Sequence, residues 1–538
     1  MPKIESRIDN NSDVFRQNRA DLLARTGELR AIEAKVRETE LAARDKYHKR
    51  GQLLPRERVT LLLDRGSPFL ELSTLCGYKY HDDTDGSLAG GNTIIGIGYV
   101  SRVRCLVVAS NSAIKGGTMS PWGVQKTLRA QEIALENKLP VISLVESGGA
   151  NLLYQQEVFI PGGSTFYNQA RLSAAGIPQI TVVHGSSTAG GAYMPGLSDF
   201  VVMVRKKAKV FLAGPPLLKA ATGEVADDED LGGAEMHATV AGTAEFLAED
   251  DTDGIRLARE VVAKLGWNDR LPALPSPPSE APAYATDELC GVVPVDYRKP
   301  YDCREVIARI VDGSDFLDFK PLYDPHTICG RATIDGWPLG IIGNNGPITA
   351  KGAVKAGQFI QLCCQSDIPI VYLQNTTGYM VGTQSEQAGI VKHGSKMIQA
   401  VANATVPQIT IVLGGSFGAG NYGMCGRGFA PRFIFAWPNS RTAVMGGEQA
   451  ARVMAIVMAE KMAKRGVPSD EKLLQAMGQP IVEQFDKESH PFNCSARLFD
   501  DGLIDPRDTR RVLQLTLSVC RDAKRRELHP TSFGVARM

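Results

Sequence analysis

The sequence predicts a duplicated α/β fold, and three observations predict it: short apolar strands led by proline, longer helical stretches between them, and an internal repeat at one fixed offset. Pro140-Val-Ile-Ser-Leu-Val-Glu-Ser-Gly-Gly149 aligns with Pro369-Ile-Val-Tyr-Leu-Gln-Asn-Thr-Thr-Gly378, a shift of 229 residues. Pro178-Gln-Ile-Thr-Val-Val-His-Gly-Ser-Ser187 aligns with Pro407-Gln-Ile-Thr-Ile-Val-Leu-Gly-Gly-Ser416 at the same shift. Each strand is a run of Val, Ile and Leu without polar alternation, the pattern of a parallel strand covered on both faces.

Taken in order, residues 1–50 read as an N-terminal helical arm, because Leu22, Leu23, Leu29, Ile32 and Val36 recur near helical spacing in a charged background. Residues 51–270 form the first copy, with a helical segment at Thr127–Asn137 ahead of the first strand. The stretch 271–284 carries five prolines between Leu271 and Pro282, which favour an extended connector. Residues 285–538 form the second copy, with its helical segment at Gln358–Ser366. At 538 residues, two domains are also what chain length alone suggests.

Composition removes several function classes. With 60 basic and 59 acidic residues, no whole-chain field draws the protein to nucleic acid or an anionic membrane. Ten cysteines without a C-x-x-C pair do not suggest a disulfide framework or a zinc ribbon. The eight histidines lack metal-ligand spacing, so no metal is expected. No apolar run reaches the roughly 18 residues of a membrane span, and the first residues do not resemble a secretory signal. A cytoplasmic protein is expected.

Chemistry is expected where buried strands end in glycine. Ser187-Thr-Ala-Gly190-Gly191-Ala-Tyr193 in the first copy matches Ser416-Phe417-Gly418-Ala419-Gly420-Asn-Tyr422 in the second. Upstream turns at Gly148-Gly149 and Thr377-Gly378 accompany them. Small residues there admit a substrate to the backbone, and the amides opening the next helix suit an oxyanion. Packing alone also calls for glycine at such turns, but a matched pair in both copies favours function. Gly418-Ala-Gly-Asn-Tyr-Gly423 fits a dinucleotide fingerprint, yet Asn439 and Arg441 stand where its acidic residue belongs. Gly414-Gly-Ser416-Phe-Gly418 fits a nucleophile elbow with Asp486 and His490 downstream, so a serine hydrolase is the rival from another class. A scaffold that kept the fold without activity is the third reading. Glu146 is either a general base or an orienting group for its turn, and His184 reads as a packed residue. Lys115 and Arg129 are candidate phosphate contacts.

The motifs Leu128-Arg-Ala-Gln-Glu-Ile-Ala134, Ser147-Gly-Gly-Ala150, Ala189-Gly-Gly-Ala192 and Leu212-Ala-Gly-Pro-Pro-Leu-Leu-Lys-Ala-Ala-Thr-Gly-Glu224 resemble the carboxyltransferase subunits of biotin-dependent acyl-CoA carboxylases. Gly415-Ser-Phe-Gly-Ala-Gly-Asn-Tyr-Gly-Met-Cys-Gly-Arg427 and Met445-Gly-Gly-Glu-Gln-Ala450 resemble the 3-methylcrotonyl-CoA branch in particular. The likeness runs from about residue 20 to about residue 530. It implies two tandem crotonase-like (ClpP/crotonase) domains, a hexamer, and a site between the N half of one subunit and the C half of a neighbour. It further implies that Gly190 and Gly191 serve the thioester oxygen of an acyl-CoA, with Gly148 and Gly149 beside it. Ala419 and Gly420 would serve the ureido oxygen of biotin, bordered by Thr377, Gly378, Phe417 and Gly418. The sequence has neither a Met-Lys-Met attachment site nor a G-x-x-x-x-G-K loop, so biotin is expected on a partner alpha subunit that performs the ATP-dependent carboxylation.

One departure concerns the substrate. Between Glu157-Val-Phe159 and Asn168-Gln-Ala170, methylcrotonyl-type subunits carry a longer linker with a Phe-Gly-Arg element, whereas this chain has Ile160-Pro-Gly162-Gly163-Ser-Thr-Phe-Tyr167. Two glycines in place of a bulky aromatic would enlarge an acyl pocket that gains roughly 0.8 kcal/mol per buried methylene. Geranyl-CoA is therefore the expected substrate, with 3-methylcrotonyl-CoA as the alternative.

Overall fold

The computed structural model describes residues 3–465 and 471–537. It divides into two units. The first gathers Ala31–Leu274 with Ala496–Leu498 and the stretch from Ser518 onward; the second gathers Pro275–Ser495 and Phe499–Leu517 with the N-terminal stretch to Arg30. The change from one unit to the other at Leu274 and Pro275 lies inside the proline-rich segment, which carries no helix or strand between Leu271 and Pro282. Near the N-terminus, helix α1 spans Asp13–Leu41 and buries Leu22, Leu29 and Val36, three of the residues whose spacing predicted it.

In the first unit, β1 (Thr93–Val100) and β2 (Val103–Ser110) form an antiparallel hairpin. Its two-residue turn holds Ser101 and Arg102 at φ of 48° and 66°, the mirror-image turn that matches strand twist. From β2 the sheet continues in parallel through β3 (Val141–Ser147), β4 (Gln179–Thr188) and β5 (Phe200–Val204), while β6 (Lys209–Phe211) pairs with the end of β4. Helices α2 (Pro121–Asn137) and α3 (Gln155–Ala174) make the crossovers, and α4 (Asp251–Lys264) packs on β4 and β5. Leu70–Glu71 and Phe246–Ala248 complete an eight-stranded sheet at its two edges.

The second unit repeats this plan in a seven-stranded sheet. Its hairpin of β7 (Thr327–Ile334) and β8 (Trp337–Asn344) turns at Asp335 and Gly336, again with φ positive at both. It is followed by α5 (Ala350–Gln365), β9 (Ile370–Thr376), α6 (Ile390–Ala402), β10 (Gln408–Phe417), α7 (Gly418–Gly423), β11 (Phe433–Ala436) and β12 (Arg441–Ala443). The parallel registers coincide: Val141 pairs Gln179 in one unit and Ile370 pairs Gln408 in the other. The 229-residue repeat is thus a repeat of hydrogen-bond register, and the fold is the tandem crotonase-like α/β arrangement that the resemblance implies. α8 (Gly447–Lys464), α9 (Glu471–Glu488) and α10 (Thr509–Arg525) follow.

Both crossover helices begin earlier than their sequence pattern indicates. Ser120 Oγ accepts from Gly123 N at 3.1 Å, and Thr349 Oγ1 accepts from Gly352 N at 2.9 Å. These caps start a glycine-containing first turn that apolar periodicity alone does not reveal. The stretch read as a short linker is also helix: Ile160–Tyr167 lies wholly within α3, with Pro161 inside it. Every residue of β10 is buried, as expected for a strand covered on both faces.

A buried carboxyl in the second unit makes stability pH-dependent. Asp500 Oδ1 accepts from Ser495 Oγ at 2.8 Å and from Gly502 N at 2.9 Å. Burial pushes its pKa up to about 7, with neighbouring Asp501 adding to the rise. A folded-state value above the unfolded value of about 3.9 means the native state binds the extra proton, so stability falls as pH rises from about 4 to about 7 and then levels off. Asp500→Asn keeps the accepting oxygen and removes the titration. Thermal unfolding between pH 5 and 8 is expected to show a smaller loss of Tm in the variant than in the wild type.

Candidate active site

The two units end their central strands in the same way. The ladder between β3 and β4 shifts after Val145 so that Ser147 stands against Ser187, and that between β9 and β10 shifts after Gln374 so that Thr376 stands against Ser416. Ligands in parallel sheets bind outside the carboxyl ends of the strands, where these shifts splay the chain. Gly149 N donates to Ser147 Oγ at 3.2 Å, and Gly378 N donates to Thr376 Oγ1 at 3.2 Å. Each hydroxyl therefore fixes the turn that follows it, with Gly149 at φ 86° and Gly378 at φ 123°. Gly148 and Thr377, one residue earlier, are exposed.

The second turn of each unit is also matched. Ala189 and Gly418 share a φ of 53°, a conformation that glycine adopts freely and alanine only with strain. In the second unit α7 starts at once, so the amides of Gly418, Ala419 and Gly420 precede its first i→i−4 hydrogen bond. In the first unit Ala189–Ala192 wind as a tighter 3-10 turn before the short helix Tyr193–Gly196. A Cβ on Gly420 would stand 2.8 Å from Gly378 Cα and 2.9 Å from Thr376 Cγ2, so the two second-unit turns touch through bare backbone. Phe417 packs tilted against Tyr297 with ring centroids 4.9 Å apart, and both rings lie close to Gly415.

The first-unit turns border a cleft whose lining includes Ser147, Ser187 and Gly191. Thr93 and Gly123 contribute small or polar wall, and Val124, Leu144, Phe166 and Met194 are among its apolar residues. The side chains in reach are hydroxyls and hydrocarbons. This suits an uncharged acyl group whose polar end is a carbonyl.

The other sequence candidates are placed as follows. Gly162 and Gly163 sit inside α3, one turn before Thr165 and Phe166, and it is those two that line the cleft. Lys115 Nζ lies 3.0 Å from Asp82 Oδ2, and Tyr154 OH donates to Asp82 Oδ1 at 2.7 Å. Arg129 is buried on α2 and pairs with Glu132 at 3.2 Å. Among the described residues, no grouping of three or more His, Cys, Asp or Glu could hold a metal ion.

Glu146 belongs to a buried network beneath the first-unit turn. Arg58, only 1% exposed, donates from Nη1 to Glu146 Oε2 at 2.7 Å and from Nε to Asp251 Oδ2 at 2.9 Å. His184 Nδ1 lies 2.8 Å from Asp251 Oδ1. Burial favours the neutral carboxyl of Asp251, but the hydrogen bond and charge of His184, with Arg58, pull its pKa down to about 2. Burial and the Arg58 charge hold His184 below its ordinary value. Glu146 is thus engaged by a guanidinium and orients its turn; it does not stand free as a base.

The hydrolase constellation does not assemble. Ser416 Oγ is fully buried and accepts from Asn421 Nδ2 at 2.7 Å. His490 Nδ1 accepts from Phe492 N at 3.3 Å, and burial with the charges of Arg441 and Arg25 lowers its pKa to about 4. Ser416→Ala removes one hydrogen bond worth about 1 kcal/mol and is expected to leave most carboxyl-transfer activity in place. A nucleophilic serine would instead cost about 10⁶ in turnover.

The sequence reading missed two features: the fixing role of Ser147 and Thr376, and the buried lysines Lys126 and Lys355. Both pairs are 229 residues apart, so the repeat itself held the signal.

Comparison with known proteins agrees with this geometry. The family profile described as carboxyl transferase domain matches residues 46–535. A probable biotin-dependent acyl-coenzyme A carboxylase beta2 subunit of Mycobacterium tuberculosis is 50% identical over 541 residues, covering 99% of this chain and 100% of its own. A probable mitochondrial methylcrotonoyl-CoA carboxylase beta chain of Drosophila melanogaster is 47% identical over 554 residues, covering 99% and 95%. The crystal structure of the beta subunit of P. aeruginosa geranyl-CoA carboxylase is 60% identical, covers 100% of both chains and superposes with a TM-score of 0.94. The chain belongs to the carboxyltransferase family, as a beta subunit of the biotin-dependent acyl-CoA carboxylases.

Proposed function

We propose that this subunit moves a carboxyl group from biotin, carried on a partner alpha subunit, to the γ-carbon of a branched 2-enoyl-CoA, and that the acyl chain is geranyl. The observation that carries the acyl assignment is the 60% identity, over the whole of both chains, to a geranyl-CoA carboxylase beta subunit. Gly162 and Gly163 lie in α3 outside the cleft lining, so the enlargement expected from them is not what supports the longer chain. The 47% identical methylcrotonoyl-CoA carboxylase chain supports the alternative, a shorter branched substrate.

In this reading, Gly190 and Gly191 donate to the thioester oxygen as the γ-proton leaves, and Gly148 and Gly149 shape the backbone beside it. Ala419 and Gly420 donate to the ureido oxygen, while Thr377, Gly378, Phe417 and Gly418 border the ring. The bare contact between Gly378 and Gly420 suits a flat ureido ring approaching backbone amides. When delivered, biotin supplies both the carboxyl group and the base. The chain itself contributes two sets of oriented amides, each aimed at charge that develops only during transfer. Lys115 is kept as a candidate contact for the CoA phosphates, whereas Arg129, buried and paired with Glu132, does not present its guanidinium to one.

Exposed apolar residues occur in both units. Leu152, Leu153, Phe159 and Ile160 stand out from the first unit; Val381, Val391, Tyr422 and Val444 stand out from the second. Such patches mark interaction surfaces, which supports a site completed by a neighbouring subunit in a hexamer. Ten unpaired cysteines support a reducing compartment, the cytoplasm.

The test combines the chain with its biotinylated partner, ATP and bicarbonate and compares kcat/KM for geranyl-CoA and 3-methylcrotonyl-CoA. A preference for the geranyl thioester is expected. Far more efficient turnover of the shorter one would reject the geranyl assignment.

A further inference from the structure

We propose that Lys126 and Lys355 are paired positioning residues, each tying the helix beside one anion-binding turn to the segment that enters the hairpin, so that Lys126 sets the acyl cleft and Lys355 sets the biotin turn. The inference rests on the assignment of the two turns given above.

The two lysines occupy the same place in α2 and α5. Their side chains are 3% and 0% exposed. Lys126 Nζ donates to Gly90 O at 3.1 Å and to Thr93 O at 2.7 Å. Lys355 Nζ donates to Asp324 O at 3.2 Å. Gly90 and Asp324 are equivalent, because each lies three residues before the first residue of its hairpin, Thr93 or Thr327. The same ammonium-to-carbonyl contact is therefore made twice in one chain. Burying an ammonium is unfavourable, and an apolar side chain of similar length would fill the space. The lysine in each unit makes a polar tie that an apolar side chain could not.

Each contact leads by hydrogen bonds to a turn. In the first unit Asn92 Nδ2 donates to Thr118 O at 3.1 Å, and Met119 N donates to Gly149 O at 2.9 Å. Thr93 and Gly123, on either side of Lys126, both line the acyl cleft. In the second unit Asp324 Oδ1 accepts from Thr349 Oγ1 at 2.8 Å, and Ile348 N donates to Gly378 O at 2.9 Å. The helix and the hairpin entry are closely packed: a Cβ on Gly123 would meet the backbone Gly91 O at 2.2 Å, and one on Gly352 would meet the side chain of Thr327 at Oγ1, 2.2 Å. A shift of the helix relative to the hairpin is thereby passed on to the turn.

Lys126→Met and Lys355→Met, assayed in the assembled complex with the biotinylated partner, test the assignment. Lys126→Met is expected to raise KM for acyl-CoA about tenfold while the loss of carboxyl from biotin without acyl-CoA is unchanged. Lys355→Met is expected to slow that loss about tenfold while acyl-CoA affinity is unchanged. Lys126→Gln and Lys355→Gln, which keep a neutral donor, give the same split in weaker form and serve if a methionine variant does not fold. Folded variants that lose activity in step with stability, with KM and the biotin reaction unaltered, would overturn the proposal. An exchanged pattern, with Lys126 acting on the biotin reaction, would instead overturn the assignment of turns to substrates.

Discussion

Replacing Gly420 by alanine is expected to lower carboxyl transfer at least about a hundredfold, since one oxyanion donor is typically worth 10²–10³ in kcat. The added Cβ would sit 2.8 Å from Gly378 Cα and 2.9 Å from Thr376 Cγ2. The nearest obstacle is backbone, so one of the two turns must move, and the amides that open α7 move with it. Gly190→Ala is the control from the other unit, because its Cβ would meet only Phe166 Cζ at 4.0 Å. It should fold normally and cost far less. Initial rates with the biotinylated partner, set beside thermal unfolding of each variant, separate a displaced turn from a damaged fold. Unchanged turnover in Gly420→Ala would mean that the contact between the turns has no part in the reaction.

The second large effect is on stability. Arg58→Met is expected to destabilise the first unit by about 3–5 kcal/mol, the usual result of removing one partner from a buried ionic network. Glu146 and Asp251 would both lose their guanidinium, and Asp251 would keep only His184 and the Leu53 amide, which donates at 2.7 Å. Adding Glu146→Gln should recover part of the loss, since it removes one of the two stranded charges. Urea unfolding of the three proteins checks this. The pH response follows the Asp251 value of about 2: the stability that this group contributes is complete above about pH 4 and is lost as pH falls toward 2.

Much of the fold was legible because its strongest signals are local and repeated. The strands led by Pro140, Pro178, Pro369 and Pro407 are short stretches dominated by Val, Ile and Leu, and their 229-residue shift survives as an identical ladder register. The hairpins were less visible. Asp335-Gly336 is a recognisable two-residue turn, but Ser101-Arg102 makes the same turn without a glycine, so the first hairpin carries no local mark. The helix through Pro161, Gly162 and Gly163 was read as linker because those residues are poor helix formers, and flanking packing overrides that preference. The matched turns could be read from composition. The network of Arg58, Glu146, Asp251 and His184 could not, because its members are 38 to 193 residues apart in the chain and only the folded sheet unites Arg58 with Asp251, the most distant pair.

The central claim is that two equivalent backbone turns hold two different oxygens. It is tested most directly by a crystal structure of the assembled subunit with an acyl-CoA and biotin bound. The account predicts the thioester oxygen about 2.7–3.1 Å from amides of the Gly190–Gly191 turn, and the ureido oxygen at similar distance from those of Ala419–Gly420. A thioester carbonyl or ureido oxygen seated away from both turns would contradict it.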